Sequence, residues 1–239
     1  VDIIPRFSMN TSFADIEKKE NRKDLIISIC VFLSGFSCFA QLYYFQPLLP
    51  DLAKDFILSA SESSFAISFS TLGMVFGLFT TMFVADRIPR KKMIGTGLLS
   101  SSIFSVAASF SPTFLPLILL SAAKGFLLSG ATSVSMAYIA EEVSSRNKGK
   151  IMGLYIAGNA LGGMAGRVIS SWIGALYTWR IASVSIGLIC ALFAILFLLF
   201  SPRSTNFMPR KESFHTLIIA NLQLITSKAV SYTHLTLPT

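Results

Sequence analysis

Apolar runs close to twenty residues long recur six times along this chain, and they constrain its fold more than any other feature. They occupy 25–49, 63–85, 93–110, 113–140, 148–176 and 180–200. Each is near the ~20 residues needed to cross a hydrocarbon core as helix. Within lipid every backbone N–H and C=O must find its partner inside the segment, which selects helix over strand at this length. The first run is too long for a signal-peptide core and has no small-residue cleavage site after it, so it counts as a span. A composition that is 53% hydrophobic, with 21 Phe, excludes an ordinary soluble domain. The expected fold class is an all-α membrane protein with six transmembrane helices.

Orientation follows from the distribution of Lys and Arg. With the N-terminus cytoplasmic, the inner segments hold Arg6, Lys18, Lys19, Arg22 and Lys23, then Arg87, Arg90, Lys91 and Lys92. Arg146, Lys148 and Lys150 follow, and then Arg203, Arg210 and Lys211. The outer loops hold only Lys54 and Arg180. The expected location is the plasma (inner) membrane, multi-pass, with the N-terminus and the segment after the last span cytoplasmic. The net charge of +8 is then a topological signal. The basic residues are split among loops without aromatic interleaving, which argues against nucleic acid as a partner. Cys30, Cys38 and Cys190 lie inside spans at no metal-ligand or disulfide spacing. No metal and no cofactor is expected. No His-Glu-x-x-His, Gly-x-Ser-x-Gly or Walker pattern occurs, and His215 and His234 lie outside the spans, so the chain is not read as an enzyme.

Between runs two and three stands "MFVADRIPRKKM" (82–93), five charges in seven positions of a chain with 13% charged residues. Any cytoplasmic turn attracts Arg and Lys, but that does not account for Asp86 or for the order acid–base–x–x–base–base. The stretch resembles the loop 2–3 signature of the major facilitator superfamily, Gly-x-x-x-Asp-Arg-x-Gly-Arg-Arg/Lys. Asp86, Arg87, Arg90 and Lys91 match it; Met82 and Pro89 replace its glycines. Run one ends "QLYYFQPLLPDLAKDF" (41–56) and run four ends "MAYIAEEV" (136–143), both similar to the drug:proton antiporter-like and sugar-efflux-like branch. In run five, Gly149, Gly158, Gly162 and Gly166 fall on that branch's glycine spacing, with Gly163 at its proline and Arg167 at its last glycine.

The resemblance covers about residues 25–215. It implies two inverted three-helix repeats, which make half of a twelve-helix facilitator. Residues 1–24 would be a cytoplasmic N-terminal segment, 25–200 the six-helix half, and 201–229 the start of a central linker. A C-terminal six-helix half would be the missing partner, beside the lipid bilayer and a small-molecule substrate. The implied function is secondary transport of a small organic solute, as proton-coupled efflux by alternating access. The alternative is a non-transporting half-length remnant. The resemblance also implies a cytoplasmic gate formed by Asp86, Arg87, Arg90 and Lys91, with Glu141, Glu142 and Arg146 as partners. Pro89 stiffens the turn where glycine is usual.

Polar groups inside the spans are few and costly, about +2.5–3.5 kcal/mol for a mid-span charge on insertion scales. The basic ones are Lys124 and Arg167, and no acid accompanies them. The family pattern Arg-x-x-Gln-Gly reads here with Ser121 at the Arg and Lys124 at the Gln. Gln41, Tyr44, Lys124, Asn159 and Arg167 are the cavity candidates. A structural lysine, and an Arg167 snorkelling to the outer interface, remain open alternatives. Gly158, Gly162 and Gly166 share one helix face and suit close helix packing or a bending surface. Gly73 and Gly77 suit packing, as do Phe65, Phe69 and Phe76. Proton coupling needs a titrating group, which leaves Lys124 or the missing half. The end, "VSYTHLTLPT" (230–239), matches the translation of a transposon-end adapter from sequencing libraries and is expected to be an artefact.

Overall fold

The computed structural model describes residues 6–207 and residue 209, with side chains described from residue 17 onward. The adapter-like tail, Arg210, Lys211, both histidines and the rest of the linker fall outside the described residues. The elements are α1 Arg6–Tyr43, α2 Leu49–Asp55, α3 Ala60–Ser63, α4 Phe65–Val84, α5 Arg90–Ser109, α6 Phe114–Glu142, α7 Lys148–Leu176 and α8 Trp179–Phe200.

Among the described residues, four stretches are long and apolar enough to cross a membrane: Glu17–Asp55, Ala60–Arg87, Phe114–Glu142 and Trp179–Phe200. The other two long helices, α5 and α7, are rich in Ser and Gly, which lowers their hydropathy below that level. Run one departs from expectation at both ends. Its helix begins well before residue 25, at Arg6, and runs without a break into the span. It stops at Tyr43, because Pro47 and Pro50 cannot donate to a continuing ladder, and restarts as a 3-10 turn and α2. Arg90, Lys91 and Lys92 likewise belong to the first turn of α5 rather than to a loop.

Close approach of backbones organises the packing. A methyl added at Gly158, Gly162 or Gly166 of α7 would lie 2.6 Å from Phe32 O, 2.5 Å from Phe36 Cα and 2.7 Å from Ala40 Cα. One turn on, Ser170 Oγ donates to Tyr44 O at 2.8 Å. Each pair is separated by the same 126 residues, so α1 and α7 run parallel in constant register through four successive contacts. A second parallel pair, α4 and α6, closes on Gly73 and Gly77, where a methyl would meet Ala122 Cα at 3.0 Å and Phe126 O at 2.5 Å. Helix α5 lies antiparallel to α6 and α8.

The buried polar residues are mostly serines, and many turn their hydroxyls back to the preceding helical turn. Ser34 bonds Val31 O, Ser102 bonds Leu98 O and Ser135 bonds Ala131 O. This satisfies the hydroxyl without a partner helix, so serine serves here as a small packing residue. Outward faces stay apolar, with Phe76, Phe79, Val168, Trp172 and Leu199 well exposed.

Candidate functional site

One end of the bundle gathers most of the charged residues described. Ala85–Arg87 forms a 3-10 turn, and Arg90, at the start of α5, reaches back over it. Its Nη2 donates to Asp86 Oδ1 at 2.9 Å and to Glu141 Oε1 at 3.1 Å, its Nε to Glu141 Oε1 at 3.2 Å, and its Nη1 to Ala85 O at 2.6 Å. The Phe207 ring lies 5.0 Å beneath the guanidinium. Burial works against the Arg90 charge, but bonds to Glu141 and Asp86 outweigh it and raise its pKa above the ordinary value. Arg90 thus ties the exit of α4, the entry of α5 and the exit of α6 into one clamp. Charge-assisted bonds of this kind are worth about 1.5–3 kcal/mol each when sheltered.

The expected gate set divides. Asp86, Arg90 and Glu141 meet directly. Glu142 faces the other way, accepting from Lys23 Nζ at 2.9 Å, Thr205 Oγ1 at 2.9 Å and Asn206 N at 2.8 Å. Lys91 donates to Ser201 O through its side chain and to Ser204 Oγ through its backbone N–H. Arg146 does not join the clamp; its guanidinium is exposed and pairs with Glu17 on α1 at 3.4 Å, because the α6–α7 turn carries it toward α1.

The sequence reading missed several members of this end. Buried Asp24 accepts from Ser144 Oγ at 2.5 Å and Asn147 Nδ2 at 2.8 Å, pinning the α6–α7 turn to α1. Tyr138 Oη bonds Pro202 O at 2.8 Å. An acid immediately before an apolar run was the available signal for Asp24. Residues 201–207 carry no comparable signal, since their role depends on the acids they meet.

The cavity candidates separate into two groups. Gln41, Tyr44 and Lys124 are wholly buried in the packed interior and lie on no open face. Lys124 Nζ sits 4.5 Å from the Tyr44 ring centroid and 4.9 Å from that of Phe45, with no hydrogen-bond partner among the described residues. Gln41 Nε2 is likewise without a partner among the described residues, while Ser105 Oγ donates to Gln41 Oε1 at 3.2 Å. Neither lipid nor helix-end carbonyls hold Lys124; two ring faces do.

Asn159 and Arg167 are half-buried on the α1–α7 seam. Arg167 stacks over the Tyr43 ring, Cζ to centroid 4.5 Å. Its Nη1 donates to Gly163 O at 3.3 Å and its Nε to Gln46. The three glycines face α1 within the bundle, one residue behind this seam.

The family model of the Major Facilitator Superfamily matches residues 28–236. The chain is 38% identical over 200 residues to an uncharacterized transporter of Buchnera aphidicola subsp. Schizaphis graminum, covering 84% of this chain and 48% of that protein. It is 36% identical to the inner membrane transport protein YnfM of Escherichia coli K12, covering 81% and 46%. The fold is similar to that of the proton:xylose symporter XylE, with a TM-score of 0.70 at 16% identity over 90% of this chain and 52% of that one. The chain spans about half the length of the curated relatives it matches.

Proposed function

The chain belongs to the Major Facilitator Superfamily, and we propose that it is the N-terminal six-helix half of a secondary active transporter of a small organic solute. In this reading it works by alternating access as proton-coupled efflux, of the drug:proton antiporter-like branch. It sits in the inner membrane with the charged end cytoplasmic, and α1, α4, α5 and α6, α7, α8 form two inverted repeats. The two parallel glycine-lined pairs support the repeats: exchanging the halves maps α1 on α7 to α6 on α4.

The observation that carries the function is the Arg90 clamp. It joins three helix ends through ionic bonds in one small cluster. Such a cluster has two discrete arrangements, made and broken, and so can bias an inward–outward equilibrium. Lys124 is the proton carrier in this half: its amine is buried between the Tyr44 and Phe45 rings and has no fixed acceptor among the described residues.

The test is flux by the full-length protein in proteoliposomes, with an imposed pH gradient and a panel of neutral, cationic and anionic solutes. Gradient-driven movement of at least one class is expected. No gradient-dependent flux at verified insertion overturns the reading. A half-length chain that inserts but does not transport is the second reading, suggested by the roughly half coverage of each relative. A parent reading frame that continues with six further spans decides against it.

A further inference from the structure

Helices α1 and α8 leave an apolar groove between them near the charged end of the bundle. Cys190 Sγ lies 3.7 Å from Ser37 O, and the Phe36 and Phe193 rings lie 5.8 Å apart. A step back along α1 is thus a step forward along α8, and the two run antiparallel. Continuing that register sets 26–33 of α1 opposite 196–200 of α8. There Ile26, Ile29, Cys30, Leu33, Leu196 and Phe200 line a groove of about 260 Å³. Its lining carries no charged, amide or hydroxyl group. Ile29 and Phe200 are exposed, so the groove opens on the outer face of the bundle, where lipid lies.

Cations stand at the charged-end mouth of this groove. On α1 the lining face continues into Arg22, four residues before Ile26, and Lys19, three before that; both are exposed. Beyond α8, exposed Arg203 follows Phe200 by three residues. Lys91, at the start of α5, donates from Nζ to the carbonyl of Ser201, the residue after Phe200. Burial holds the Lys91 ammonium below its ordinary pKa; Cys30 of the groove acts against this, and the Arg203 charge adds to it. The amine is therefore near both the groove and a second cation. Among the described residues, no carboxylate forms an ion pair with Lys19, Arg22, Lys91 or Arg203. Glu142 is held by Lys23, Thr205 and Asn206, Asp24 is held by Ser144 and Asn147, and Glu20 lies off the lining face of α1.

We propose that this groove and its basic mouth bind an anionic phospholipid of the inner leaflet, one acyl chain lying against Ile29, Cys30 and Leu196 and the phosphate meeting Lys91 and Arg203. A free phosphate would meet the cations and leave the groove empty of chain. A zwitterionic lipid would fill the groove but bring a cation of its own to a basic mouth. An anionic lipid matches both parts, and each cation near the surface adds to its hold. The inference goes beyond transport: it requires only that α1 and α8 cross the bilayer with the charged end inside.

The test is native mass spectrometry of the full-length protein in detergent, titrated with dioleoyl phosphatidylglycerol or dioleoyl phosphatidylcholine. One retained phosphatidylglycerol is expected, bound at least about fivefold tighter than phosphatidylcholine, since each cation contributes about fivefold. Arg203→Gln should weaken phosphatidylglycerol by about fivefold and leave phosphatidylcholine unchanged, while Arg203→Lys should bind as the parent does. Ile29→Trp fills the groove from an exposed position that the fold tolerates, and should weaken both lipids several-fold. Lys150→Gln removes an exposed cation of α7 outside the groove lining and should change neither. Millimolar inorganic phosphate should not displace the lipid. Equal affinity for the two lipids overturns the site, as does undiminished binding in Ile29→Trp. Equal losses in Arg203→Gln and Lys150→Gln would show diffuse attraction in its place, and full displacement by phosphate would assign the cations to a free anion; either result overturns it.

Discussion

Gly162→Ala offers a quantitative test of the α1–α7 packing. The new Cβ would lie 2.5 Å from Phe36 Cα, where ordinary contact begins at 3.4 Å, so the helices must part locally by close to 1 Å. Parting them loosens the neighbouring contacts at Gly158 and Gly166 and stretches the 2.8 Å bond from Ser170 Oγ to Tyr44 O. Overpacking of this kind costs about 1–3 kcal/mol, and a weakened hydrogen bond about 1 more. Alanine returns about 1 kcal/mol through helix propensity. The net expectation is a loss of about 1–3 kcal/mol. Gly153→Ala on the same helix is the control. Nothing lies within 4 Å of a methyl there, so only the propensity gain of about 1 kcal/mol remains. Thermal melts of the full-length protein in nanodiscs would compare the two. Opposite signs are expected. A Gly162→Ala variant as stable as Gly153→Ala would refute the register derived for the pair.

The other expectations are shorter. Asp86→Asn should lower initial transport rates more than surface abundance, because it removes one ionic arm of Arg90 without altering shape; unchanged rates at equal abundance would leave the charges to topology alone. Lys124→Met keeps the stem between the Tyr44 and Phe45 rings and removes a buried cation, so stability should hold or rise by about 1–4 kcal/mol while proton dependence is lost. Undiminished coupling in that variant removes Lys124 as the carrier. Ile57 has φ 56° and is 93% exposed, so Ile57→Gly should stabilise by about 1 kcal/mol in the same melts.

Helix existence was legible because a bilayer sets segment length, and an apolar run of about twenty residues has few other uses. Which face of each helix turns inward was much less legible. In a soluble bundle the outward face is polar and the periodicity reports it. Here the outer faces carry Phe76, Phe79 and Trp172, and the inner faces carry Ser101, Ser102 and Ser105. Hydropathy therefore gave little guidance on whether Lys124 lies in a cavity or in the core, and Gln41, Tyr44 and Lys124 turned out to be enclosed. The glycine spacing was a better guide, since a residue without a side chain every fourth position marks the line of closest approach. Prolines 47 and 50 were visible as the end of a span but also divide it. The docking of 201–207 on Glu142 and Tyr138 depended on distant partners that no local pattern names.

The packing stripe and the cationic stripe on α7 are one arrangement seen at adjacent positions. Gly158 and Gly162 bring α7 against the backbone of α1, and each is followed immediately by a seam residue, Asn159 or Gly163. Gly166 precedes Arg167 in the same way. The parallel register, held at 126 residues, then sets Arg167 beside Tyr43 rather than a turn away. Bulk in the first stripe must move the second. A displacement of close to 1 Å at Phe36 propagates to Tyr43, two turns further along the same helix, and loosens a stack whose centroid distance is 4.5 Å. Gly162→Ala, which touches no seam residue, should therefore also loosen the Arg167–Tyr43 stack. Gly163→Ala, whose methyl meets only ordinary contacts at 3.5–3.9 Å, should raise the melt as Gly153→Ala does. A variant pair that reversed these two melts would refute the register that sets the stripes side by side.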